Sequence, residues 1–334
     1  MADVDTQPRR KRSRWLLKLV GPAVLVAILA SLDRRELLSA FARTELSLLL
    51  WAYPVVVPTI FLRAWRWGLL IDPSVPHARY RDRLGAYAYA LFAGVATPGR
   101  VGEFVKTVHL TRAGAPFGRA FSSVLLDRLL DVGLLFVVGL AGFLIIAAPD
   151  HIGRWAGPIV AFVLIAGMGL SLLLTRPRIA NAIGRMAAAA APANYRGWIE
   201  TTLADFFDSL RTIKLGALAI SALITIACWI LTYLGNYLLS RSLGLGFSFA
   251  EICGISAICS LVTLVPISVM GAGTRDAALV VILARYGYGS GDAVALSALF
   301  LTLPLSLGLL CSLSLLSPAA HFDDAPKATA PREG

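Results

Sequence analysis

Six stretches of this chain stay apolar for about twenty residues, near 15–32, 46–64, 121–147, 156–174, 215–240 and 293–316. An α-helix of ~20 apolar residues crosses the ~30 Å hydrocarbon core of a bilayer. Within that core each backbone N–H and C=O needs a partner inside the chain, which leaves the helix as the spanning element for runs of this length. Charged residues make up 15% of the 334, where a soluble domain carries roughly a quarter. The chain therefore reads as an all-α integral membrane protein.

Two regions break the pattern. Residues 84–112 begin with Leu84 to Thr97, too short to cross, continue through Pro98-Gly99-Arg100-Val101-Gly102-Glu103, and end in a mixed helix with Lys106. Residues 249–286 repeat the scheme with Ile252 to Pro266, a break ending in Gly271-Ala272-Gly273-Thr274-Arg275-Asp276, and Ala277 to Ala284. Helix breakers and charges in apolar sequence are tolerated only where protein or a water-filled cavity surrounds them. Each region reads as a re-entrant hairpin of two half-helices. The expected fold is about six transmembrane helices plus two hairpins; counting the half-helices as crossings gives an eight-span alternative. Each hairpin is followed by a turn with glycines and then a span, in the same order and opposite orientation. That is the inverted-repeat pattern of secondary transporters, whose sites lie where broken helices meet.

The basic residues orient this arrangement, since Lys and Arg collect in cytoplasmic loops. Arg9 to Arg14 place the N-terminus inside, and Arg79, Arg81 and Arg83, then Arg112 and Arg119, then Arg176, Arg178 and Arg185 fall on the same side. Both termini are expected in the cytoplasm of a prokaryote, with the chain in its inner membrane. The basic start followed by Trp15 to Ser31 resembles a secretory signal, but the next apolar segment follows so closely that an uncleaved anchor fits better. The chain divides into a basic arm (1–14), one membrane domain (15–316) and a disordered cytoplasmic tail (317–334). Within 187–214, Ile199, Leu203, Phe206, Phe207, Leu210 and Ile213 share a helical face; the helix lies on the cytoplasmic membrane surface or packs on its neighbours.

The net charge of +11 sits between apolar segments, where it meets anionic headgroups, and is not spread as a nucleic-acid surface. Cys228, Cys253, Cys259 and Cys311 lie in apolar sequence without a C-x-x-C pair, and the four histidines lack metal-ligand spacing, so no metal or other cofactor is expected. The sequence has no Walker-type phosphate loop.

Three charged clusters remain. Arg100, Glu103 and Lys106 are three residues apart on a helix begun by Pro98, with Gly99 and Gly102 allowing close approach. A helix start with an arginine suits phosphate, so Arg100 is the candidate headgroup contact; snorkelling charges are the plain alternative. Asp127, Arg128 and Asp131 enter the third span, with the two aspartates sharing a face. Buried there, they need cations, and Arg100 and Lys106 are the candidates. The Asp-x-x-x-Asp spacing also suggests a metal site, but no second acidic cluster accompanies it. Arg275 and Asp276 open the last half-helix after Gly271 and Gly273, with Pro266 at the preceding break, and are expected on the outer side opposite Arg100. Arg63-Ala64-Trp65-Arg66-Trp67 reads as an interfacial anchor.

At these residues the chain resembles the lysylphosphatidylglycerol-synthase transmembrane, or flippase-like, family. Arg63 to Trp67, Thr97 to Glu103, Ser123 to Asp131 and Pro266 to Asp276 occur in that family's order, and the resemblance covers roughly 15–316. The family includes the flippase half of the multiple-peptide-resistance factor and relatives linked to hopanoid and glycolipid pathways. The resemblance implies movement of a polar lipid between leaflets: an aminoacyl-phospholipid, a hopanoid, or a polyprenyl or glycolipid. The sequence carries no soluble aminoacyl-transferase domain after the spans, so lysine transfer is not expected and the chain reads as no enzyme. Its expected partners are membrane lipids, with a nearby-encoded lipid-modifying enzyme as a further candidate. On this reading Arg100, Glu103, Lys106, Asp127, Arg128, Asp131, Arg275 and Asp276 line or gate the path. The alternatives are a membrane-embedded lipid-modifying enzyme and an accessory subunit of a separate lipid transferase.

Overall fold

In a computed structural model, the described residues are 44–75, 79–147, 192–265, 271 and 273–315, with isolated positions 42, 182, 185, 186 and 189. The expected spans near 15–32 and 156–174, the basic arm, the tail and Pro266 lie outside them. The described helices, in chain order, are α1 (Leu46–Val56), α2 (Pro58–Leu70), α3 (Tyr80–Ala96), α4 (Val105–Arg112), α5 (Phe117–Ala147), α6 (Arg196–Thr212), α7 (Leu215–Ser242), α8 (Phe249–Leu264), α9 (Thr274–Ala284) and α10 (Ser290–Leu315). A 3-10 helix, Pro98–Phe104, joins α3 to α4. No strand occurs among the described residues.

Four segments are long and apolar enough to cross a membrane: Leu46–Leu70, Phe117–Ile146, Leu215–Ser242 and Ser290–Gly308. They coincide with the four expected spans among the described residues, and the chain is a multi-pass, all-helical membrane protein. The first is α1 and α2 run together. Pro58 has no N–H to offer the carbonyl of Pro54, so the helix is interrupted there without ending.

Both expected breaks exist, and they form alike. α3 ends at Ala96 and Thr97 is extended (φ −114°, ψ 142°); α8 ends at Leu264 and Val265 is extended (φ −68°, ψ 121°). Each extended residue precedes a proline, whose ring disfavours helical backbone at that position.

The two broken helices pack reciprocally. α3, from the first, lies along α10, the span that follows the second; α8, from the second, lies along α5, the span that follows the first. α2 and α7, the helices preceding each break, pack on each other. The α5–α8 crossing is close because glycines meet there: a Cβ on Gly142 would lie 2.2 Å from the Cα of Gly254.

α10 is the central span, with 61% of its apolar window buried against 17% for α1–α2 and 28% for α5 and α7. The outer spans turn Leu50, Trp51, Phe143, Leu223 and Ile230 outward, as a lipid-facing surface does. Of the two readings of the amphipathic segment, the contacts favour packing. α6 lies against α5, the Phe206 ring meets that of Phe121 at 6.1 Å, tilted by 40°, and Ser122 Oγ donates to Ser209 Oγ at 2.7 Å.

Candidate functional site

The site begins on α2. Arg63, Arg66 and Trp67 are three and four residues apart and so share a face. That face is turned inward: Arg66 and Trp67 are fully buried, and only Trp65, 47% exposed, stands outward as an anchor would. The anchor reading of this motif is thereby corrected for Arg66 and Trp67.

What buries Arg66 is α5, where Asp127 and Asp131 lie one helical turn apart. The Arg66 guanidinium donates from Nε to Asp127 Oδ1 at 2.9 Å. Its two terminal nitrogens donate to the two carboxylate oxygens of Asp131 at 2.9 and 2.8 Å, and Nη1 also donates to Thr225 Oγ1 of α7 at 2.7 Å. A planar fork against a carboxylate is the strong geometry for such a pair, and burial without it would be prohibitive. Asp127 takes a second cation, Lys106 Nζ of α4, at 2.6 Å. Asp131 accepts from Trp229 Nε1 at 2.9 Å and has Arg63 Nη1 at 3.6 Å. The Lys106 ammonium also lies 4.5 Å from the Tyr87 ring centroid and 5.5 Å from that of Trp67, a cation–π setting.

Beside this network Glu103 pairs closely with Arg128, and Arg100 Nη1 stands 4.0 Å from the same carboxylate. The expected straight helix from Pro98, with Glu103 between two basic partners, does not form. Gly99 (φ 62°) and Arg100 (φ 58°) are both left-handed, so the chain turns there and Lys106 is redirected to Asp127. Glycine tolerates that backbone freely; arginine does so at a cost of about 1–2 kcal/mol. A Cβ on Gly102 would lie 2.2 Å from the Ala93 carbonyl oxygen, so the turn also requires glycine there. Arg100 is the only non-glycine residue with positive φ among the described residues, and its side chain is 31% exposed.

The second break is built around Asp276. Its Oδ2 accepts the backbone N–H of Gly273 (φ 83°) at 2.7 Å, capping α9, and its Oδ1 is held by the Ser297 hydroxyl of α10. Arg275 Nε donates to Ser297 Oγ at 2.7 Å and Nη2 lies 3.8 Å from Asp276 Oδ1. Gly271, at φ 75°, precedes this cap.

The two breaks meet in the interior. A cavity of about 150 Å³ lies between α2, α3, α7, α8 and α10. A water occupies roughly 10–15 Å³ of such space, so the cavity has room for a phosphate-sized group. Arg63, Arg100 and Arg275 all line it, with Thr59, Thr232, Asn236, Ser256 and Ser260 between them and Ile60, Leu91, Phe300 and Leu307 on the apolar wall. No carboxylate among the described residues lines it.

Two expectations change here. Arg100 and Arg275, expected apart on opposite sides, both line this one cavity, because the broken ends converge. Glu103, Lys106, Asp127, Arg128, Asp131 and Asp276 do not line the cavity; Asp127 and Asp131 are held by Arg66, with Lys106 on Asp127, Glu103 pairs with Arg128, and Asp276 is held by Gly273, Ser297 and Arg275. Arg63 was read as an anchor and belongs to the wall. The signal for Arg66 was present in the sequence: two buried aspartates required cations, and α2 offered two arginines on one face.

Five cations (Arg63, Arg66, Arg100, Lys106, Arg128) face three carboxylates (Glu103, Asp127, Asp131) in this half of the site, leaving two positive charges in excess. No group of His, Cys, Asp and Glu that could hold a metal ion occurs among the described residues.

No curated protein matches the chain. The ordered motifs and the broken-helix architecture agree with a family-model match over residues 15–311, and the chain belongs to the lysylphosphatidylglycerol synthase transmembrane-region family.

Proposed function

We propose that the chain translocates a polar lipid between the leaflets of the membrane, with the headgroup entering the cavity between the two broken helices while the acyl or prenyl chains stay in the bilayer. The observation that carries this reading is a polar, arginine-lined cavity in the middle of an apolar helical bundle. Cations at membrane depth are costly and mark a path or a ligand. The ion-pair network behind the wall holds α2, α4, α5 and α7 in one arrangement, so the arginines are presented by a rigid scaffold. On this reading the chain does no covalent chemistry, sits in the inner membrane of a prokaryote with both termini in the cytoplasm, and draws its lipid from the bilayer or from a separate modifying enzyme.

The test is reconstitution of the full chain into vesicles with lipids labelled on one acyl chain, followed by chemical quenching of the outer leaflet. The expected result is leaflet exchange above that of empty vesicles for at least one headgroup. No exchange for anionic, neutral or cationic headgroups refutes the proposal. A changed lipid mass after incubation assigns the cavity to lipid modification instead.

A further inference from the structure

We infer that the cavity is selective for a headgroup carrying an uncompensated phosphate, and that it disfavours headgroups with a free ammonium group. This rests on the reading that a lipid enters the cavity. Three elements that are distant in sequence each supply one guanidinium to its wall: Arg63 from α2, Arg100 from the first break and Arg275 at the second. Each wall arginine has a carboxylate near it, Asp131 at 3.6 Å from Arg63, Glu103 at 4.0 Å from Arg100 and Asp276 at 3.8 Å from Arg275, but each of these acids is shared. Asp131 is bonded by Arg66, Glu103 pairs with Arg128, Asp276 caps α9, and Asp127 is held by Arg66 and Lys106, so the first half of the site keeps its two positive charges in excess. A cationic headgroup entering the cavity would meet like charges and, among the described residues, no acid on the wall; a phosphate diester would meet donors from three sides.

Arg100 is the residue that sets this preference. Its partner is at 4.0 Å and already occupied, its side chain is partly accessible, and its backbone is held left-handed. A strained, weakly paired arginine on a cavity wall is arranged for a ligand more than for the fold. The shared chemistry is the phosphate oxyanion, available from a lipid headgroup or from free phosphate. The apolar wall of Ile60, Leu91, Phe300 and Leu307 beside the arginines commits the proposal to the lipid-borne source.

The experiment measures binding and exchange separately with the purified full chain. Binding in detergent is read from tryptophan fluorescence, which includes Trp229 at the cavity, using short-chain phosphatidylglycerol, short-chain phosphatidylcholine, a short-chain lysine ester of phosphatidylglycerol and inorganic phosphate. Exchange uses the acyl-labelled forms of the three lipids in vesicles. Phosphatidylglycerol is expected to bind at least roughly tenfold tighter than the neutral and cationic lipids, the factor one unmade charge-assisted hydrogen bond produces. Arg100→Gln removes that preference while the melting temperature stays near wild type; Arg100→Lys restores part of it. Thr232→Glu, which puts an acid on the wall, shifts the preference toward the lysine ester. Equal binding of all three lipids, or selectivity unchanged in Arg100→Gln, overturns the inference. Saturable binding of inorganic phosphate alone, with no lipid preference, overturns the lipid source. Exchange indifferent to charge upholds translocation and overturns this inference; charge-selective binding without exchange does the reverse.

Discussion

Asp127 is where the buried network is most exposed to perturbation. Around it and Asp131 stand three cations, Arg63, Arg66 and Lys106, against two carboxylates. Asp127→Asn keeps the side-chain volume and leaves Arg66 its fork on Asp131. Lys106, however, loses its only ion-pair partner among the described residues while its side chain remains 0% exposed. Breaking a buried pair by removing one partner costs about 3–5 kcal/mol, most of it the penalty of the stranded charge. Lys106→Met is the opposite case: Asp127 keeps Arg66, and the charges then balance two against two. Its expected cost is about 1–2 kcal/mol, at the low end for hydrogen bonds to charged groups. In the double variant the stranded ammonium is gone, so the protein should be more stable than Asp127→Asn by about 1–3 kcal/mol despite carrying a second substitution.

Unfolding of the four proteins by sodium dodecyl sulfate in mixed micelles, followed by tryptophan fluorescence, gives the cycle. The reasoning fails if Asp127→Asn costs less than about 1 kcal/mol, or if the double variant is destabilised by the sum of the singles. Either result would mean that water reaches Lys106 or that the network relaxes around the loss.

Three further outcomes follow from the geometry. Arg100→Gly removes the left-handed strain but adds chain entropy to the unfolded state, so stability should be unchanged or up to about 1 kcal/mol higher in the same titration while leaflet exchange falls. Gly142→Ala forces a methyl against the Gly254 backbone, 2.2 Å away, and should cost about 1–3 kcal/mol by separating α5 from α8, read from the same unfolding curve. Arg119 lies 3.3 Å from Asp72 and 3.5 Å from Asp205 of α6 and also contacts Ser74; its side chain is 28% exposed. Arg119→Ala should therefore change global stability by less than about 1 kcal/mol but speed proteolysis within Arg196–Thr212, and high salt should mimic it in the wild type.

Much of the fold was legible because its signals are local. A run of ~20 apolar residues has one solution in a bilayer, and Pro98 and Pro266 stop a helix through the residue that precedes them. The places of the spans and of the two breaks therefore follow from segments read one at a time. The pairing of Lys106 with Asp127 was also anticipated, because a buried aspartate demands a cation and few were at hand. Arg66 was misread because an arginine flanked by tryptophans has the same local signature on a lipid boundary as in a core. Only the approach of α5 and α7, which bring Asp127, Asp131 and Thr225 to one guanidinium, distinguishes the two.

The sequence by itself determined that the chain is a helical membrane protein with two broken helices, since hydrocarbon leaves unpaired backbone no other recourse. It also determined which charged residues lie within or beside apolar segments. Tertiary structure alone decided which of those charges pair behind the wall and which also line the cavity. The Coulomb energy of a charge pair depends on distance and surroundings, and neither is written in the spacing of residues along one helix. Helix packing placed three carboxylates on arginines and a lysine behind a wall, and it turned Arg63, Arg100 and Arg275, remote from one another in sequence, onto a single cavity.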